Sequence, residues 1–156
     1  MEHAELVVLA GKWLKAQGCG VVITEMTTIR PETPDAIGFK ADCSWLIECK
    51  TSRSDFHADS KKHHRKYPET GMGDFRYYMS EPNIVTEEDL PLGWGLLHVV
   101  DGKIKKIRGM RGNCGARENG MFHFLPNIRA ERSILISALR RKLAPAPQDG
   151  EGKEKP

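Results

Sequence analysis

Apolar residues recur between positions 2 and 17 at intervals of three and four, with Leu6, Leu9, Ala10, Trp13 and Leu14 on one side of a helical wheel. The spacing predicts a helix with one buried face, ended by Gly18 and Gly20. Val21-Val22-Ile23-Thr24-Glu25-Met26 is short and β-branched and reads as a strand, whereas Arg30-Pro31-Glu32-Thr33-Pro34 is too proline-rich to pair. Two more strands are predicted, Asp35-Ala36-Ile37-Gly38-Phe39 and Ser44-Trp45-Leu46-Ile47-Glu48-Cys49-Lys50, joined as a hairpin through a polar break at 40–43. Ser52-Arg53-Ser54-Asp55 then offers a capping hydroxyl and a first-turn acid, which predicts one basic helix ending before Pro68.

Gly71 and Gly73 break the pattern, and strands are predicted at 75–79 and 95–100. Asp101-Gly102 is a strong hairpin turn into a last strand at 103–108, and 86–90 suggests one helical turn. Residues 109–120 are glycine-rich and poorly patterned, while Ile134, Leu135, Ala138 and Leu139 return to helical spacing within 128–143. The order is α-β-β-β-α-β-β-β-α, an α/β (α+β) arrangement without internal repeats. A chain of 156 residues, 39% apolar, suits one compact domain over 1–143. Positions 144–156 hold almost nothing apolar to bury, so a disordered tail is expected there.

The four cysteines, Cys19, Cys43, Cys49 and Cys114, form no close C-x-x-C pair, and no charged-then-apolar signal segment precedes the first helix. Both features argue against secretion and disulfides, and the chain reads as cytoplasmic. No apolar run approaches the roughly 20 residues that span a bilayer, so no membrane is expected as a partner. A formal charge of +3 says little about nucleic acid; its distribution says more. Lys61, Lys62, His63, His64, Arg65 and Lys66 are consecutive, and Arg108, Arg111, Arg117, Arg129, Arg132, Arg140, Arg141 and Lys142 make the second half basic.

An acid, any residue, then lysine is a weak motif that chance alone supplies about twice in a chain of this composition. Four occur here, and Glu48-Cys49-Lys50 is the one inside an apolar strand. Side chains alternate along a strand, so Glu48 and Lys50 share a face with Leu46, and Trp45, Ile47 and Cys49 point the other way. If the hairpin turns at Ala41-Asp42, Lys40 faces Cys43 and Asp35 lies opposite Glu48, with Cβ atoms about 5 Å apart. Two carboxylates converging with a backbone carbonyl, here that of Cys49, are hard oxygen ligands suited to Mg²⁺. Taken alone, Glu48 and Lys50 would be an ordinary cross-strand ion pair. The proline before Asp35, the hairpin-compatible separation and the basic segment that follows shift the reading toward phosphate chemistry.

Pro34-Asp35 followed after twelve intervening residues by Glu48-Cys49-Lys50 resembles the PD-(D/E)XK nuclease superfamily, as does the α-β-β-β-α-β order. The resemblance implies a restriction-endonuclease-like mixed sheet flanked by helices and a nuclease that hydrolyses phosphodiester bonds in DNA. It further implies that Asp35 and Glu48 bind Mg²⁺ or Mn²⁺ and that Lys50 assists the attacking water. Many members add an acid from the first helix; Glu5 is the best match, with Glu2 and Glu25 competing. Residues 48–56, 71–78 and 92–97 are also similar to a phage and bacterial subgroup of the MmcB DNA-repair type.

Arg53, Lys61, Lys62, Arg65, Lys66 and Arg76 are candidates for gripping a DNA backbone, against the alternative of an ordinary solvated helix face. Neither RNA nor a homodimer is excluded. His57, His63 and His64 with Asp59, or Cys114 with His123, supply no well-spaced zinc set, and the glycine clusters lack phosphate-loop spacing. The rival expectation is a non-catalytic DNA- or protein-binding module on the same fold.

Overall fold

The computed structural model describes residues 1–112 and 120–144. Six strands form one mixed sheet in the order β1 (Val21–Thr24), β2 (Ala36–Lys40), β3 (Cys43–Lys50), β4 (Phe75–Ser80), β5 (Gly95–Val100) and β6 (Lys103–Arg108). The β1–β2–β3 meander is antiparallel, β3, β4 and β5 run parallel, and β6 returns antiparallel to β5. Parallel neighbours need covered crossovers, and helices occupy both faces of the sheet.

Helix α1 (His3–Ala16) lays Leu6, Val7, Ala10 and Leu14 on one face, against Trp45, Ile47 and Cys49 of β3 and Phe75, Tyr77 and Met79 of β4. On the other face Ala130 and Ile134 of α4 (Ile128–Leu143) and Phe56 of α2 (Arg53–Asp59) pack on Ile23, Ile37, Leu46, Tyr78 and Leu96. All eight residues of β3 are buried. The face carrying Glu48 and Lys50 is therefore not the half-exposed one that an alternating strand suggests; a second layer of helices covers it.

Two local expectations change. The basic segment is not one helix: α2 stops at Asp59, a turn carries the chain to Lys62, and α3 (His63–Lys66) starts anew. A continuous helix would stack like charges three and four residues apart, whereas the break turns Arg65 back onto Asp59. Cys19 and Cys49 are free thiols, but Cys43 is disulfide-bonded, because tertiary proximity rather than local spacing decides pairing. The expected tail beyond Ala144, together with Cys114 and Arg117, lies outside the described residues. Among the described residues no helix is long and apolar enough to cross a membrane.

Candidate active site

The site forms at the C-terminal end of β3, because the hairpin register carries β2 back to the right place. Lys40 pairs with Cys43 across a turn in which Ala41 takes φ 50°, and the ladder runs outward to Ala36 opposite Ile47. Continuing one step sets Asp35 opposite Glu48. The Cys49 N–H donates to Asp35 Oδ2 at 2.7 Å, which locks that carboxylate against the end of β3. An extended residue sends its N–H and C=O toward the same neighbour, so the Cys49 carbonyl faces the Asp35 side as well. Lys50 Nζ lies 3.5 Å from Glu48 Oε2, and the Asp35 carboxylate is near enough to raise the proton affinity of both.

Around them the fold gathers groups that the sequence pattern did not reveal. Asp59, at the end of α2, is buried and accepts from Arg65 Nε at 2.8 Å and from the Tyr78 hydroxyl at 2.8 Å, with Lys62 Nζ at 2.7 Å and Lys50 Nζ at 3.4 Å. Arg65 reaches Glu48 Oε1 at 3.0 Å and Glu32 Oε1 at 3.0 Å, while its guanidinium lies 4.8 Å from the Trp94 ring centre. Glu32 Oε2 also accepts the Met72 N–H at 2.6 Å, which ties the 30–34 loop to the segment that leads into β4. Lys62 Nζ stands 4.0 Å from Glu48 Oε2, and Asp55 Oδ1 stands 3.9 Å from Lys50 Nζ.

Burial dominates the proton affinities. It pushes Glu48, only 2% exposed, up to about 7, Arg65 pulling down and Asp35 pushing further up. Burial raises Asp35 too, partly offset by the Cys49 N–H and His3. For Asp59 burial is outweighed by Arg65, Lys50 and Lys62, which hold it well below the usual carboxylate range. Lys50 is pulled down by burial but lifted further by Glu48 and Asp59. It stays a cation at neutral pH, a donor rather than a base.

Five carboxylates (Glu32, Asp35, Glu48, Asp55 and Asp59) face three permanent cations (Lys50, Lys62 and Arg65), an excess of two negative charges when every acid is ionised. Glu48 Oε1 sits near Arg65 without an aligned hydrogen bond. Both features fit a divalent cation shared by Asp35 and Glu48. Among the described residues no three His, Cys, Asp or Glu side chains make a complete cage, so such an ion would depend on two carboxylates, a carbonyl and water, as Mg²⁺ commonly does.

Of the candidate first-helix acids, Glu5 turns back to accept the Glu2 N–H at 3.0 Å in a capping box. The group α1 sends to Asp35 is His3, whose Nε2 lies 3.4 Å from Asp35 Oδ1 and 3.6 Å from Glu25 Oε1. Glu25 follows β1, and its N–H donates to the Asp35 carbonyl, so it is the acid placed beside the site. Two candidate phosphate contacts point inward. Arg65 belongs to the buried cluster, and Arg76, 1% exposed, donates to the carbonyls of Gly73, Pro68 and Gly71 and stacks on Phe124. Arg53 is held by both Asp89 oxygens at 2.9 Å. Lys61, Lys62 and Lys66 remain exposed.

No protein-family model matches the chain, and no curated protein matches it. Among solved structures it is similar to SPO1766, a protein of unknown function from Silicibacter pomeroyi, 24% identical, covering 96% of this chain and 94% of that one with a TM-score of 0.60. That likeness concerns the fold alone.

Proposed function

We propose that the chain is a metal-dependent nuclease of the PD-(D/E)XK type that hydrolyses phosphodiester bonds in DNA. The observation that carries this reading is the β2–β3 register, which joins Asp35 and Glu48 across two strands with Lys50 on the same face. Asp35, Glu48 and the Cys49 carbonyl would hold Mg²⁺ or Mn²⁺, which supplies Lewis-acid chemistry toward phosphate and water. Lys50, kept protonated by its acidic neighbours, donates toward the attacking water or the charge developing on phosphoryl oxygens. Lys61, Lys62 and Lys66 supply exposed cations for the backbone of the strand being cut.

One observation favours a second reading. Arg65 already lies 3.0 Å from Glu48 Oε1 and Lys62 4.0 Å from Glu48 Oε2, so Glu48 has counter-charges of its own without a metal ion, as suits a non-catalytic DNA-binding module. Supercoiled and branched DNA incubated with Mn²⁺ separates the two. Nicking by wild type that disappears in Glu48→Ala, with the variant still folded, supports the nuclease. Equal behaviour of both proteins removes it, and salt-sensitive binding without cleavage supports the module.

A further inference from the structure

The two free edges of the sheet are built differently. β6 carries Lys103, Lys105, Lys106 and Arg108, and its pairing with β5 is broken by a register shift at Leu96/Leu97. Charges and bulges of this kind keep an edge from pairing with foreign strands. β1 reads Val21-Val22-Ile23-Thr24, with no charge or proline and an unshifted register across its four residues. The Glu25 N–H donates to the Asp35 carbonyl, so by alternation Ile23 and Val21 also bond toward β2. The N–H and C=O groups of Val22 and Thr24 therefore face outward.

That edge opens into a groove of about 600 Å³ between the two helical layers, lined by Lys15 of α1, Gly20, Val21, Val22 and Ile23, and by Leu135, Ala138, Leu139 and Lys142 of α4. Val22 and Thr24 lean toward α1, where their methyls come within 4 Å of a Cβ built on Gly11, and Ile23 joins the core beneath α4. Val21 is 46% and Leu139 56% exposed. The groove thus has unpaired backbone on its floor, an apolar wall from α4 and one ammonium group from each of the two helices. No acid lines it.

We propose that the β1 edge binds an extended segment of a partner protein by strand addition, and that this segment alternates apolar residues with carboxylates that meet Lys15 and Lys142. Backbone pairing to Val22 and Thr24 supplies affinity, and the alternating side chains on the two walls supply selectivity. Charge decides against a second copy of this chain. Two β1 strands paired about a two-fold axis would bring Lys15 and Lys142 of both copies together, four ammonium groups with no acid among the described residues that line the groove.

The probe is a synthetic pool of fluorescein-labelled peptides in which Val, Ile, Leu or Phe alternates with Thr and both ends carry Glu. It is titrated against the full chain by anisotropy and mapped by amide shifts. Saturable binding is expected, with the largest shifts at Val22 and Thr24, and about tenfold weaker binding when alternate peptide amides are N-methylated, the effect of two missing backbone hydrogen bonds. Lys15→Glu with Lys142→Glu leaves the fold intact, lying on exposed rims, and is expected to reverse the preference toward a pool ending in Lys. Val22→Pro removes one outward donor and weakens binding further. In the free protein, Val22 and Thr24 amides are expected to exchange faster than those of Val21 and Ile23. The proposal is overturned by no binding up to about millimolar protein, by indifference to N-methylation or charge reversal, or by slow exchange at Val22 and Thr24 in the free chain. Slow exchange in a sedimenting dimer would assign the edge to a second copy, and in a monomer to this chain itself.

Discussion

Replacing Arg65 with Met keeps most of the side-chain length and its contact with Trp94 but leaves Glu32, Glu48 and Asp59 without their shared guanidinium. The Arg65 side chain is 4% exposed, so water cannot take over its role. Removing one partner of a buried ion pair typically costs about 3–5 kcal/mol, because the remaining charge stays desolvated. Here part of that loss is escapable by protonation. Glu48, already raised to about 7, lets the folded state bind more protons than the unfolded one between 4.5 and 7, so its contribution to stability falls as pH rises through that window. Without Arg65, Glu48 moves up further and Asp59 loses its strongest partner, which extends the window toward alkaline pH. The expected loss for Arg65→Met is therefore about 3–5 kcal/mol near about pH 8, and smaller by about 1–2 kcal/mol near about pH 5. Urea unfolding followed by tryptophan fluorescence at the two pH values measures both terms by linear extrapolation. A loss below about 1 kcal/mol, or one indifferent to pH, would refute the picture of Arg65 as the counter-charge of a desolvated acidic cluster.

Mn²⁺ titrated by calorimetry should bind about tenfold more tightly for each pH unit up to about 7, because the ion displaces the Glu48 proton below that value, and level off above it; a flat profile would exclude Glu48 as a ligand. Glu25→Gln should weaken Mn²⁺ binding while Glu5→Gln leaves it unchanged, since Glu25 shares His3 with Asp35 and Glu5 closes a helix cap; the reverse ranking would restore Glu5 to the site. Gly95→Ala should lower stability by about 1–3 kcal/mol in thermal melts, because its Cβ would stand 2.3 Å from Tyr77 Cε1 in a packed core; a neutral result would mean that the Tyr77 ring has room to move.

What could be read from residues alone was the part governed by local period. Alternation in β3, the polar break at 40–43 and the charges at the strand's end were enough to put Asp35 opposite Glu48. The same logic located both long helices and the Asp101–Gly102 hairpin, whose two residues take φ 50° and 71°. It failed where tertiary contacts decide. Arg65 looked like one cation in a solvated run, yet its partner Glu32 is 33 positions away in a loop too irregular to place. Asp59-Ser60-Lys61 is another of the four acid-x-lysine matches and nothing within that triplet marks it, although the burial of Asp59 at the end of α2 makes it a hub of the cluster. A usable signal was present in both cases: an acid fixed between Pro31 and Pro34, and an acid immediately before six consecutive basic residues apart from Ser60, each in need of a counter-charge.

The misplacement of Arg65 has a chemical consequence. A run of surface cations would leave Asp35 and Glu48 repelling one another, so that a divalent ion would be the obvious neutralising group. With Arg65 folded inward, Glu48 has a resident positive neighbour and a proton affinity near neutrality, so a metal ion bound as proposed would compete with both a proton and a guanidinium for one carboxylate. Any cation that binds must either accept Arg65 beside it or displace it toward Glu32 and Asp59, which already hold it at 3.0 and 2.8 Å. If Mn²⁺ binding raises the stability of Arg65→Met by more than that of wild type, the two cations use the same charge deficit; equal increments would place the metal on the Asp35 side, independent of Arg65.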